Sequence, residues 1–154
     1  MPSIVQQFFT SQALHLRHGR FDQLSGAYAV PLVVMLPSDD RTISVLPSRA
    51  AVENFFRAKF DGLGAAGIEY LRAMVTDVEA VSERRFAATV IWYYLDPAGA
   101  RQGETMARYF LGKRTGGLVV EMIEFRRLAF DAIADWVGQY DRRVPAPGIR
   151  TRRT

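Results

Sequence analysis

The sequence contains no cysteine, and that absence excludes a disulfide framework, a thiol nucleophile, an iron–sulfur cluster and a zinc ribbon. Histidine occurs only at positions 15 and 18. Lysine is outnumbered by arginine 2 to 18, a bias expected either of arginine's bidentate contacts or of the codon usage of a GC-rich genome. Long apolar runs are missing as well. The longest, 29–36 and 87–95, fall far short of the ~20 residues of a membrane span. The N-terminus has no basic n-region, and Gln6 and Gln7 interrupt any signal-like apolar stretch. Together these absences predict a soluble, cytoplasmic protein with no membrane partner.

Acidic residues are missing from the last 13 positions, which hold five arginines (142, 143, 150, 152 and 153). Without those five charges the formal net charge falls from +4 to −1. The basic character therefore belongs to an appendage. Five charges on such an end give salt-sensitive, unspecific attraction at most, so a nucleic-acid partner is not expected. What is present is apolar: 49% of the 154 residues are hydrophobic and 12% aromatic, which argues for one packed domain. The expected division is a single domain over 1–141 and a basic, proline-containing, flexible tail over 142–154.

Periodicity orders the elements. Ser3 and Gln6 form a capping box, followed by a 3.6-type stripe through Val5, Phe8, Phe9 and Leu16 that stops at Gly19. A short helix covers 21–27. A strand over 30–36, a turn cluster at 37–41 and a short strand over 42–46 follow. Ser48 then caps a helix whose expected buried face is Val52, Phe55, Phe56, Phe60 and Leu63. Beyond the glycines at 62, 64 and 67 the period falls towards two, giving strands over 69–81, 85–95, 105–112 and 118–127. A last helix is expected over 131–140. The strand over 85–95 is apolar on both parities, so both of its faces must be covered, one by helices and the other by a partner subunit or a cavity.

Three motifs carry a family resemblance. Gly19-Arg20-Phe21-Asp22-Gln23-Leu24 through Tyr28-Ala29 resembles the glycine–aspartate…tyrosine–alanine signature of NTF2-like proteins. Pro47-Ser48-Arg49-Ala50-Ala51-Val52-Glu53-Asn54-Phe55-Phe56 resembles their central helix. Arg108-Tyr109-Phe110 with Gly116-Gly117-Leu118-Val119-Val120-Glu121-Met122 resembles their closing hairpin. The match spans about residues 3–128 and is nearest to SnoaL-like, polyketide-cyclase-like domains. It implies an α+β, cystatin-like cone: a curved antiparallel sheet around three helices, plus a C-terminal helix, enclosing a cavity. It also implies frequent homodimerisation through the sheet face. No cofactor is implied, and function is not fixed by the cone.

The resemblance places the base of ketosteroid isomerases on Leu36, their helix tyrosine on Gln12 and their oxyanion acid near Thr105. Leu36 cannot move a proton, so that chemistry is not expected. With Thr105 facing inward, parity sends Ala107, Tyr109 and Leu111 the same way, and on the last strand Val119, Glu121, Ile123 and Phe125. The ligand-binding candidates are accordingly Gln12, Tyr28, Leu36, Phe56, Thr105, Tyr109, Ile123 and Phe125. Two residues are candidates for catalysis. Glu121 is either a desolvated acid–base group inside the cone or an outer residue paired with Arg108 or Arg126; a one-residue bulge decides which. His15 either faces the cavity or, with Arg17 and His18, complements the helix dipole. A His-x-x-His metal site would need Asp22 as its third ligand in a geometry the sequence does not establish, and no metal is expected. The expected function is an apolar cavity for a small hydrophobic molecule. The alternatives are a filled cone acting as a dimerisation or scaffold module, and a lyase or isomerase using Glu121 or His15.

Overall fold

A computed structural model describes residues 2–37 and 43–128. Three helices, α1 (Pro2–Arg17), α2 (Phe21–Gly26) and α3 (Arg49–Ala65), pack on six strands. The strands are β1 (Tyr28–Met35), β2 (Ile43–Leu46), β3 (Tyr70–Ser82), β4 (Arg85–Leu95), β5 (Arg101–Arg114) and β6 (Gly117–Arg127). They form one curved, unclosed sheet in the order β2-β1-β6-β5-β4-β3. Every pairing is antiparallel except β1 with β6, which run parallel. The α+β cone is thus the architecture of this chain. The expected turn cluster near 38–41, the helix over 131–140 and the tail lie outside the described residues. Among the described residues no helix is long and apolar enough to cross a membrane.

Helix ends follow local chemistry. Gly19 and Gly67 adopt φ of +67° and +77°, the left-handed conformation that costs a glycine nothing. At each, the next residue's N–H reaches back five positions, Arg20 to His15 O at 2.8 Å and Ile68 to Leu63 O at 2.9 Å, which closes a Schellman motif. Ser48 Oγ accepts from Ala51 N at 3.2 Å and caps α3. The capping box expected at the start of α1 is replaced by a tertiary contact. Gln6 Nε2 donates to Ala73 O and Gln6 Oε1 accepts from Val75 N, both at 2.9 Å. The amide of Gln6 thereby ties α1 to β3.

The buried stripe of α3 is Val52, Phe55, Phe56, Lys59 and Leu63. Phe60, expected in that stripe, is 38% exposed; its ring instead meets Phe21 edge-on, with centroids 5.5 Å apart. A lysine therefore occupies the centre of the helix face turned to the sheet.

Register shifts curve the sheet. Thr76 and Val81 are extra residues on β3 relative to β4, and Glu121 is an extra residue on β6 relative to β5. The Glu121 bulge lets Val120 and Ile123 both point inward, three positions apart. The inward set expected for β6 is corrected accordingly: Ile123 and Phe125 face the core, whereas Val119 and Glu121 do not.

Candidate functional site

The inner face of the sheet and the three helices bound a small interior pocket of about 10 Å³, room for one water. Its walls are mainly apolar. Six of the ligand-binding candidates line it: Gln12, Tyr28, Phe56, Tyr109, Ile123 and Phe125. Leu36 does not, being half-buried at the margin of the core beyond β1. Thr105 is buried on the inner face of β5 but hydrogen-bonds to Tyr94, away from the cavity wall.

Lys59 is the residue that sequence reasoning passed over. It is 5% exposed and lines the cavity. Its Nζ lies 5.2 Å from the Trp92 ring centroid, within cation–π range. Among the described residues it has no carboxylate or hydrogen-bond partner. Burial lowers its pKa from the ordinary 10.5 to about 8, because an ammonium loses hydration there. A signal existed. At 3.6 residues per turn position 59 falls in the middle of the face formed by Val52, Phe55, Phe56 and Leu63, and position 60 at its edge, whatever residues fill them.

Trp92 is held in turn. Its Nε1 donates to Tyr109 Oη at 2.8 Å, and Phe9 packs on both rings, with centroids 6.1 Å from Trp92 and 4.7 Å from Tyr109. Tyr28 packs on Phe56 at 4.9 Å. Burial raises the pKa of Tyr28 and of Tyr109, and mutual repulsion with Tyr28 adds to the rise at Tyr109. Both phenols therefore stay protonated at any physiological pH. Gln12 is 6% exposed, and its Oε1 is buried with no hydrogen-bond partner. Such orphan acceptors are rare and call for a specific reason.

The two catalytic candidates lie elsewhere. Glu121 is on the outer face, where it accepts from Arg85 Nε at 3.0 Å and from Arg114 Nη2 at 3.1 Å. These arginines, rather than Arg108 or Arg126, are its partners. The hydrogen bond from Arg85 leads in holding its carboxyl below the usual range, the opposite of the shift a desolvated acid would show. His15 is half-exposed near the end of α1, its Nδ1 3.4 Å from Arg20 Nη1, and does not line the cavity. Among the described residues no group of three His, Cys, Asp or Glu side chains could hold a metal ion.

One wall of the cavity is thin. Leu16 lines both the interior and a surface cleft of about 380 Å³ between the ends of α1 and α3, whose rim carries Arg17, His18 and Glu69.

The family model described as NTF2-like protein (DUF6841) matches residues 3–124. The chain belongs to this NTF2-like family. Compared with curated protein sequences, it matches none. Solved structures show the same cone. Aln2 from a Streptomyces species aligns with a TM-score of 0.62 at 17% identity, over 81% of this chain and 89% of that one. A cystatin-like domain of unknown function from Nostoc punctiforme aligns with a TM-score of 0.63 at 14% identity, over 97% and 90%. An NTF2-like protein of unknown function from Shewanella oneidensis aligns with a TM-score of 0.61 at 12% identity, over 81% and 98%. At these identities the likeness is one of fold. The NTF2-like cone accounts for the enclosed interior, and the residues that furnish it are this chain's own.

Proposed function

We propose that the cone interior binds a small, largely apolar molecule that presents one oxygen acceptor to Lys59 and a hydroxyl to Gln12 Oε1. The carrying observation is Lys59, buried beside the Trp92 ring with no carboxylate or hydrogen-bond partner among the described residues. An uncompensated ammonium in an apolar interior is costly, and an oxygen acceptor removes that cost. The interior has room for one water, so a ligand enters by displacing side chains, with Leu16, shared between the interior and the surface cleft, at the point of entry.

The alternative, a filled cone used only as a scaffold, draws support from the small cavity. It gives no reason for Lys59 or for the orphan Gln12 oxygen. Benzoate separates the two readings. The chain has two tryptophans, so a Trp136→Phe background leaves Trp92 as the only reporter. Benzoate is expected to change Trp92 fluorescence at pH 7, and roughly tenfold more weakly at pH 9.5, where Lys59 is neutral. A signal indifferent to both benzoate and benzaldehyde overturns the proposal.

A second copy of the chain is the proposed partner of the outer sheet face. Ile91, Met106, Phe110 and Met122 are half-buried there, and Met74 is exposed. Arg108 stands opposite Glu124 in the β5–β6 register, so the same surface offers both signs to a two-fold mate.

A further inference from the structure

We propose that Lys59 is a carbonyl-trapping amine: the interior takes a small apolar aldehyde or ketone and condenses it with Nζ to an imine. This rests on the reading of the interior as a ligand site and adds its chemistry. Three observations carry it. Lys59 lines a small, mostly apolar interior pocket with no carboxylate partner among the described residues, so nothing locks the nitrogen as an ion pair. Desolvation leaves a fraction of the amine neutral near pH 7, the condition for nucleophilic lysine. The face of Trp92 lies 5.2 Å from Nζ, where it stabilises the cationic iminium as it does the ammonium.

The step balances without a further reagent. The Nζ lone pair forms a C–N bond to the carbonyl carbon while one N–H proton passes to the carbonyl oxygen, giving a carbinolamine. The nitrogen lone pair then forms C=N as the C–O bond breaks, and the hydroxyl leaves as water with the second N–H proton. Gln12 Oε1, an acceptor with no partner among the described residues, lines the same pocket and is the acceptor available to the carbinolamine hydroxyl. The protonated phenols of Tyr28 and Tyr109 on the same walls are donors for the carbonyl oxygen. No carboxylate or imidazole lines the cavity among the described residues, so the inference ends at the imine and extends to no later proton abstraction.

The test uses the full chain, benzaldehyde and sodium cyanoborohydride at pH 7.5, with peptide mapping of benzylated sites. Lys113, exposed on the β5–β6 side of the molecule, is the internal reference. Lys59 is expected to be benzylated at least about tenfold faster than Lys113, because its desolvated amine is in part neutral at that pH. Leu16→Ala, which thins the wall to the surface cleft, is expected to accelerate labelling of Lys59 and leave Lys113 unchanged. Labelling of Lys59 no faster than of Lys113, while benzaldehyde still changes Trp92 fluorescence, overturns the imine and leaves the ligand site standing. Absence of both labelling and fluorescence change overturns the imine and the ligand site together. Lys59→Met serves as the site control: with its circular dichroism spectrum unchanged, it is expected to lose the adduct at position 59 and to leave the labelling of Lys113 as it was.

Discussion

A single side chain carries most of the functional argument and a measurable energetic burden. The fall of Lys59 from 10.5 to about 8 corresponds to about 3 kcal/mol of penalty on the charged form. Below pH 8 the group is protonated both folded and unfolded, and the penalty is fully present. Between about pH 8 and 10.5 the unfolded chain binds more protons than the folded one, so stability rises with pH. Lys59→Met keeps the volume and removes the charge. It is expected to stabilise the protein at pH 7 by about 2 kcal/mol. That gain should shrink towards zero as pH approaches 10.5, which urea melts of both proteins at several pH values will show. At this scale the sequence was legible where residue type and burial agree, as at Tyr109, Ile123 and Phe125. It is not legible where they conflict: Phe60 satisfies the three- and four-residue spacing as well as Lys59 does, and residue type favours the aromatic, but only Lys59 is buried.

Elements were easier to read than their faces. Both Schellman glycines, the Ser48 cap and the long-strand meander follow from local chemistry that a sequence displays. Strand parity does not survive a bulge, and nothing local announces one at Glu121. The extra residue turns Glu121 outward to Arg85 and Arg114 and lets Val120 face the core. Gly112 accommodates it from the neighbouring strand, since a Cβ there would stand 2.8 Å from Glu121 Oε2. The join between α1 and β3 was equally hidden, because a glutamine three residues after a serine reads as a capping box. Gln6→Ala removes two part-buried hydrogen bonds that hold α1 on β3. It is expected to cost about 1–3 kcal/mol, read as a lower urea midpoint with an unchanged slope. A loss of under a few tenths of a kcal/mol would show that the amide contact contributes nothing.

The whole molecule has an inner face closed by its own helices and an outer face with apolar residues in mid-sheet. Met106 pairs with Ile91, which pairs with Met74, so an apolar row crosses three strands. Burying that row between two copies removes it from water at roughly 25 cal/mol per Å². The 17.3 kDa chain is expected to elute at about twice its mass, and Met106→Glu to elute as a monomer that keeps its circular dichroism spectrum. A wild-type monomer at micromolar concentration would remove the second copy from the picture. The unclosed sheet has a further consequence. β3 forms one of its margins over thirteen residues, and a flat strand of that length is a template for fibril growth. Bulges at Thr76 and Val81, and the charges of Arg72, Asp77 and Glu79, spoil the template along the strand. Between Ala73 and Val75 the same task falls to Gln6, whose amide occupies the backbone positions an incoming strand would need. The tie between α1 and β3 thus doubles as a gatekeeper against aggregation.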